Sequence, residues 1–307
     1  MKRKDASIII VSFNTRKMLE ECLSSLVSNT KPLNYEIIII DNASNDGSVD
    51  FLQESTKKIN NLKLILNREN VGFGAANNQG IKKAKGEYIL LLNSDTKFES
   101  NVLGEMTKWM NKHERIGIAT CALRNRDGSL QATGGYFPNL IRVFSWMIIQ
   151  DFPFVDRLIK PFHPMKSKSF NKGENFYEKE REVDWITGAF FLIRRKVIKD
   201  VGYFDEDYFM YTEETDYCYR TKKKGWKIWY IPSWSIIHFG GASGTKELPI
   251  LKEFEGVKLF YKKHYPRWQY PILRILLKIG ALGRLVLFGI LEGRESAAIY
   301  AKAFKIA

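Results

Sequence analysis

The sequence predicts an α/β fold with a mostly parallel, Rossmann-like central sheet flanked by helices. Three observations predict it. Short apolar runs of strand character recur at 7–13, 35–40, 62–66 and 87–92. Between them lie stretches whose apolar residues repeat at helical spacing. The strands end on polar residues, at Ser12-Phe13-Asn14, Asp41-Asn42, Asn67-Arg68 and Asn93-Ser94-Asp95. Strands alternating with helices imply βαβ units. Right-handed crossovers then bring all four polar loops to one edge of the sheet.

Taken in order, Ile8 to Val11 form the first strand, and Met18, Leu19, Cys22, Leu23 and Leu26 mark a helix over 16–28. Ile37-Ile38-Ile39-Ile40 is a buried second strand, and Val49, Leu52 and Gln53 sit in a second helix. The third strand is followed by a helix from about Gly74 to Lys85 and by the strand ending Leu90-Leu91-Leu92. Residues 157–182, rich in Lys, Glu, Asn and Ser with Pro161 and Pro164, read as a long loop of the kind that forms lids. Val183 to Ile193 reads as one central strand, a helix follows Glu213-Glu214, and two short strands follow at 227–231 and 234–238. There is no internal repeat.

The 307 residues, 45% apolar and 27% charged, suit a globular chain of one or two domains. A net charge of +14 points to an anionic partner. Nucleic acid ranks last, because the basic residues do not interleave with aromatics along any one element. Cys22, Cys121 and Cys218 have no metal-ligand spacing and form no disulfide framework, which places the chain in a reducing cytoplasm. Met1-Lys2-Arg3-Lys4 looks like the start of a signal peptide. The run behind it is too short and meets Asn14, so it reads as a strand.

Residues 246–307 form a basic, apolar helical extension to a domain over 1–245. Within 258–307 there are ten Lys and Arg against two Glu, a charge of +8. Residues 270–291 are strongly apolar but carry Arg274, Lys278 and Arg284. A spanning helix needs ~20 mostly apolar residues. Each cation at mid-bilayer costs roughly 2.5–3.5 kcal/mol, which disfavours spanning. A helix lying in the membrane interface is expected, with a helix packed on the domain as the alternative; the charge excess favours the membrane.

Asp41 and Asp95 each stand at the C-terminal end of a buried strand, where ligands of open α/β sheets bind. Two carboxylates there suit a cationic or hydrogen-bond-donating ligand, and a metal-bound nucleotide fits both. The chain has no G-x-x-x-x-G-K-[ST] loop and no G-x-G-x-x-G after a strand. Ser12-Phe13-Asn14-Thr15-Arg16 also lacks the glycines expected of a nucleotidyltransferase phosphate loop.

Several segments together resemble the inverting glycosyltransferases of family 2, which have the GT-A fold. They are Ile10 to Asn14, Ile40 to Ser48, Asn70 to Gly80, Leu92 to Thr96, Asp184 to Ala189, Phe204 to Glu206, Tyr211 to Arg220 and His238 to Ser243. Their details look most like the bacterial rhamnosyltransferase-like branch, which builds cell-surface polysaccharide. The resemblance implies a membrane-associated enzyme at the cytoplasmic face. It would take a sugar from a nucleotide diphosphate, thymidine-diphosphate-L-rhamnose first and a UDP-sugar second. The acceptor would be a glycan or a sugar on a polyprenyl diphosphate. The competing class is a non-catalytic sugar-nucleotide-binding scaffold. The oligomeric state is left open.

By the same resemblance Asp95, at the last position of the family's Asp-x-Asp, holds Mg²⁺ or Mn²⁺ against the leaving diphosphate. Asn93 replaces the motif's first Asp and, with Ser94, borders the nucleotide-sugar site. The alternative for Asp95 is a helix cap. Asp41 accepts from the pyrimidine N–H, or else makes an Asx turn. Ser12 and Asn14 would line the base pocket. Gly72, Gly74 and Asn77 approach the donor, or serve as plain loop and cap residues. Trp185, Thr187 and Gly188 sit beside the sugar and acceptor. His238 lies near metal and diphosphate, or is structural. The base that takes the acceptor proton is Glu214, longer by a methylene than the family's aspartate, with Glu213 and Asp216 as alternatives. Acidic residues here would equally complement a helix dipole, and Arg220 could simply pair with Asp216.

Overall fold

A computed structural model describes residues 4–150, 158–164, 174–240 and 247–307. Residues 157 and 165–173 of the expected lid, and Gly241-Ala242-Ser243, lie outside the described residues. The strands β1 (Lys4–Ser12), β2 (Tyr35–Asp41), β3 (Leu62–Leu66) and β4 (Gly86–Asn93) alternate with helices α1 (Arg16–Asn29), α2 (Ser48–Lys58) and α3 (Phe73–Lys83). These four strands are parallel, in the order β3-β2-β1-β4. Beyond β4 come β10 (Phe190–Arg194), antiparallel to its neighbours, then β6 (Ile116–Arg124), β11 (Lys227–His238) and the two-residue β5 (Thr96–Lys97). β5 also runs antiparallel to β11, but the long strands other than β10 are parallel, so the sheet is mostly parallel.

Both faces of the sheet are covered, which explains the continuous apolar runs. Ile9, Ile38, Ile40, Ile89 and Leu91 point into one core. Ile8, Ile10, Ile37, Ile39, Leu90 and Leu92 point into the other, under α1 and α4 (Val102–Asn111).

Two expectations need correction. The single strand over 183–193 is three pieces: β8 (Arg181–Val183) on the sheet edge, β9 (Trp185–Ile186) paired with β7 (Gly134–Gly135), and β10. The chain turns at Thr187-Gly188-Ala189, where the Thr187 N–H leaves the sheet to bond Thr133 O at 3.0 Å. The two short strands at 227–231 and 234–238 are one strand, β11. Its register shifts between Ile231 and Ser235, where Pro232 offers no N–H to the ladder. The flanks of the expected lid are also anchored. Phe162 and Tyr177, the latter in the single turn α6 (Glu174–Tyr177), are buried in the core.

The C-terminal helices are α9 (Glu247–His264), α10 (Gln269–Leu291) and α11 (Arg294–Ile306). Phe254, Val257, Phe260, Leu273, Leu277 and Ala281 join the same core as Ile9 and Ile38. Among the described residues no helix is long and apolar enough to cross a membrane. Helix α10 packs on the domain through Leu273, Leu277, Gly280 and Ala281. Its opposite face leaves Trp268, Ile272, Ile275, Ile279, Leu282, Val286 and Ile290 exposed, one every three or four residues. Packing and an exposed apolar stripe are therefore properties of two faces of one helix. Arg274 bonds the Ala307 carbonyl at 2.8 Å, and Lys278 lies over the Phe304 ring. Arg284 reaches inward to the Trp146 carbonyl at 2.7 Å.

Candidate active site

Parallel register aligns Ser12 with Asp41 and Val11 with Asn93, so the loops of β1, β2 and β4 open onto one edge. A cleft of about 270 Å³ lies there. Val11, Phe13, Thr15, Asn42, Asn70 and Phe73 form one side. Asn93, Ser94, Asp95, His238, Thr187, Gly188, Tyr211, Glu213 and Glu214 complete it.

Asp95 follows β4 and is 4% exposed. Helix α4 begins at Val102 and is capped by Asn101, whose Oδ1 accepts from Gly104 N, so Asp95 is not a helix cap. β5 pairs Thr96 with His238 on β11, which carries His238 to the same edge. His238 Nε2 stands 3.3 Å from Asp95 Oδ1. His238 Nδ1 donates to Gln131 Oε1 at 2.7 Å. Gln131 Nε2 in turn donates to the His238 carbonyl and to Asn125 Oδ1, both at 2.6 Å, which fixes the amide's orientation. Nδ1 therefore carries the proton in neutral His238, and the Nε2 lone pair faces Asp95. Asn93 Nδ2 donates to that lone pair at 3.4 Å. A ring nitrogen and a carboxylate oxygen 3.3 Å apart are stabilised by a cation between them, a proton on Nε2 or a metal ion. Oxygen and imidazole donors suit a divalent ion. Among the described residues no cluster of three or more His, Cys, Asp or Glu is assembled, so such an ion would take its other ligands from substrate and water.

Facing this pair, helix α8 (Glu213–Lys223) opens with the two glutamates. Tyr211 and Thr212, with φ of 64° and 74°, turn the chain into the helix. Both residues are non-glycine in the left-handed region, where strain is stored at sites that use it. The two carboxyls hydrogen-bond to each other. Burial, and then the Glu214 charge, holds Glu213 well above the usual carboxylate range. Burial pushes Glu214 up to about 7, against hydrogen bonds that pull it down, and the charge of Glu253 adds to the rise. One oxygen of each, Oε2, is buried without a hydrogen-bond partner. Asp216 does not line the cleft. It is fully buried, bonding Arg220 Nε at 2.7 Å and His264 Nε2 at 2.5 Å, which ties α8 to α9. A carboxylate so committed cannot receive an acceptor proton without giving up its bonds to Arg220 and His264.

The remaining candidates divide. Asp41 makes the Asx turn through Oδ1, which accepts from Ser44 N at 2.8 Å. Its Oδ2 is buried with no partner, so one carboxylate supports both readings. Thr187 and Gly188 line the cleft. Ser12 is buried against Thr15. Asn14 braces the neighbouring loop, its Oδ1 accepting from Asn45 N. Asn77 lies behind the cleft, donating to Phe73 O, and Trp185 is packed among Phe162 and His163. Gly72, at φ 87°, lets the backbone of Phe209 approach where a Cβ would collide with its carbonyl; Phe209 O accepts from Phe73 N at 2.9 Å. Its contribution is to seat the 209–212 segment. Gln131, which holds His238, and Asn70, which lines the cleft, are not among the residues the sequence singles out. Asn70 opens the segment Asn70 to Gly80; Gln131 carries no local signal, since its partner His238 is 107 residues away.

The fold class has counterparts among solved structures. The mannosyltransferase PcManGT from Pyrobaculum calidifontis, in complex with GDP-Man and Mn²⁺, is similar over 100% of this chain and 81% of its own. The TM-score is 0.58 at 16% identity, and the shared architecture is GT-A-like. A family model for glycosyl transferase family 2 matches residues 7–202, and the chain belongs to that family. The chain is 27% identical over 244 residues to an N-acetylglucosaminyl-diphospho-decaprenol L-rhamnosyltransferase of Mycobacterium tuberculosis, covering 75% of each. It is also 27% identical to the rhamnosyltransferase WbbL of Escherichia coli K12, over 76% of this chain and 82% of that one. The chain is thus an enzyme of sugar transfer.

Proposed function

We propose that this glycosyltransferase moves L-rhamnose from thymidine-diphosphate-L-rhamnose to a sugar carried on a polyprenyl diphosphate, with inversion at the anomeric carbon. The names of both rhamnosyltransferase relatives support the sugar, and that of the Mycobacterium tuberculosis enzyme supports the carrier. A UDP-sugar is the second choice of donor, since Asp41 Oδ2 would accept from the N–H that uracil and thymine share. The single observation that carries the reading is one cleft placing the Asp95–His238 pair opposite the Glu213–Glu214 pair.

Asp95 and His238 would hold Mn²⁺ or Mg²⁺, and the ion would supply charge neutralisation for the leaving diphosphate. Glu214 is the base. Its carboxylate takes the proton of the acceptor hydroxyl as that oxygen bonds the anomeric carbon, on the face opposite the breaking bond to diphosphate. Glu213, deeper and held protonated, donates to the Glu214 carboxylate and aims it. Ser94, Asn93, Thr187 and Gly188 border the sugar.

The enzyme works at the cytoplasmic face of the membrane, where a polyprenyl carrier is reached. The exposed stripe of α10, in a segment of charge +8, suits an anionic bilayer surface. The test is a panel of nucleotide sugars in thermal shift with and without Mn²⁺. Metal-dependent stabilisation by a thymidine or uridine diphosphate sugar is the expected result. Metal-independent stabilisation, or none, would remove the metal assignment.

A further inference from the structure

The segment matched by the family ends at residue 202, before the glutamate pair. What holds that pair comes from the other end of the chain. Gly256 of α9 lies against the Tyr211–Thr212 turn. A Cβ there would stand 2.6 Å from Thr212 Cβ and 3.1 Å from the Tyr211 carbonyl, and would collide outright with Thr212 Oγ1. On the far side, Gly72 gives the same room to Phe209. The segment from Phe209 to Thr212 thus meets a glycine at each end, Gly72 at Phe209 and Gly256 of the C-terminal extension at the strained turn.

One turn earlier on the same helix stands Glu253, whose charge is felt by Glu214. It meets His163 Nε2 at 2.5 Å, with both side chains largely buried. His163 is enclosed by the rings of Trp146, Phe162 and Trp185. The groups around Glu214 are therefore Glu213 and Cys218 on its own helix, Glu253 from α9, and Asp95 and His238 across the cleft. Around Glu253 stand His163, Tyr300 of α11 and, at Trp146, Arg284 of α10.

We propose that α9 is part of the catalytic apparatus: Gly256 seats it on the Tyr211–Thr212 turn that aims Glu214, and Glu253, held 2.5 Å from His163 Nε2, is a positioning residue that sets the charge behind that base. This rests on Glu214 being the base. An anion behind Glu214 raises its proton affinity, and His163 moderates that anion. Removing Glu253 and removing His163 must then act in opposite directions.

The experiment compares pH profiles of kcat/KM for wild type, E253Q and H163Q, with G256A and G256A/T212G alongside. E253Q moves the acid limb to lower pH by roughly half a unit, the scale of a partly compensated charge. H163Q moves it to higher pH. G256A lowers kcat about tenfold or more at unchanged donor KM, since a base displaced by a fraction of an ångström loses alignment. G256A/T212G restores kcat, because Thr212→Gly removes the colliding side chain and suits the left-handed φ. Shifts of E253Q and H163Q in the same direction, or none, overturn the charge role. Wild-type kcat in G256A, or a G256A loss that T212G does not rescue, overturns the seat. If E214Q keeps wild-type turnover, the base assignment itself fails, whatever these variants do.

Discussion

Replacing Glu214 with Gln should make the protein more stable and nearly inactive. Glu214 is pushed up to about 7 from a usual 4.5. The folded state therefore holds a proton that the unfolded chain releases near 4.5. Between those values the native state binds more protons than the unfolded one, so stability falls as pH rises from about 4.5 to 7 and is level above. A difference of about two and a half units corresponds to about 3 kcal/mol. Glu214 borders an open cleft and water screens part of this, so about 3 kcal/mol is an upper bound. Gln removes the buried charge, keeps the shape, and can donate to Glu213. E214Q should thus gain up to about 3 kcal/mol over wild type at pH 8, and the gain should vanish toward pH 4.5. Turnover should fall by roughly 100-fold or more, the contribution of a general base. Urea unfolding at pH 5, 6.5 and 8, beside transfer rates at each pH, reads both. An E214Q protein no more stable than wild type at pH 8 would refute the account of burial and charge around this carboxyl.

Other outcomes follow from the same geometry. Asp95→Asn should abolish Mn²⁺-dependent stabilisation by nucleotide and lower turnover by roughly 100-fold or more; full metal dependence in thermal shift would clear Asp95 of this role. Gln131→Leu frees His238 Nδ1 and should weaken metal affinity about 10–100-fold, measured by Mn²⁺ titration of activity. Asp41→Asn keeps the turn through Oδ1 but turns an amide N–H toward the base, costing about 1.5–3 kcal/mol of donor binding by calorimetry. Ile275→Glu with Ile279→Glu removes two half-exposed apolar side chains, about 1 kcal/mol each, and adds two anions. Sedimentation with anionic vesicles should weaken over 100-fold, on the order of 3 kcal/mol, with turnover on a water-soluble acceptor unchanged. Undiminished sedimentation would assign the stripe another occupant.

The first four strands and their helices were legible because their apolar periods are undiluted by function: Ile37 to Ile40 are buried on both faces and end where Asp41 begins. The second half was harder to read. The run from Val183 to Ile193 has one period but serves three strands, since Thr187 leaves the ladder to border the cleft. Asp95 and Glu214 could be found as residues at predicted element ends. Gln131 could not, because its value lies in an amide orientation fixed by long-range partners. Asp216 is ambiguous in sequence: an acid in a first helical turn reads alike whether it meets a substrate or, as here, Arg220, the i,i+4 partner the spacing offers, and His264.

Asp216 also explains why the extension cannot be a mere anchor. His264, near the end of α9, meets Asp216 inside α8, and Lys263 beside it pairs with Asp205 and Asp207 on the loop before α8. Gly256 lies two turns earlier, against Thr212. Helix α9 thus touches the helix of the glutamate pair at its entry turn, along its first turn and at its approach. One wall of the cleft is the sheet edge and moves with the core. The opposite wall is α8, whose position is set by α9. A shift of α9, including one transmitted from α10 when its stripe meets a surface, is then expected to change the distance between the acidic pair and Asp95. Binding at the stripe and the rate of transfer should therefore be coupled, with vesicles altering kcat toward a soluble acceptor in wild type and leaving it unchanged in the Ile275→Glu, Ile279→Glu protein. A kcat indifferent to vesicles in both would show that the two faces of α10 act independently.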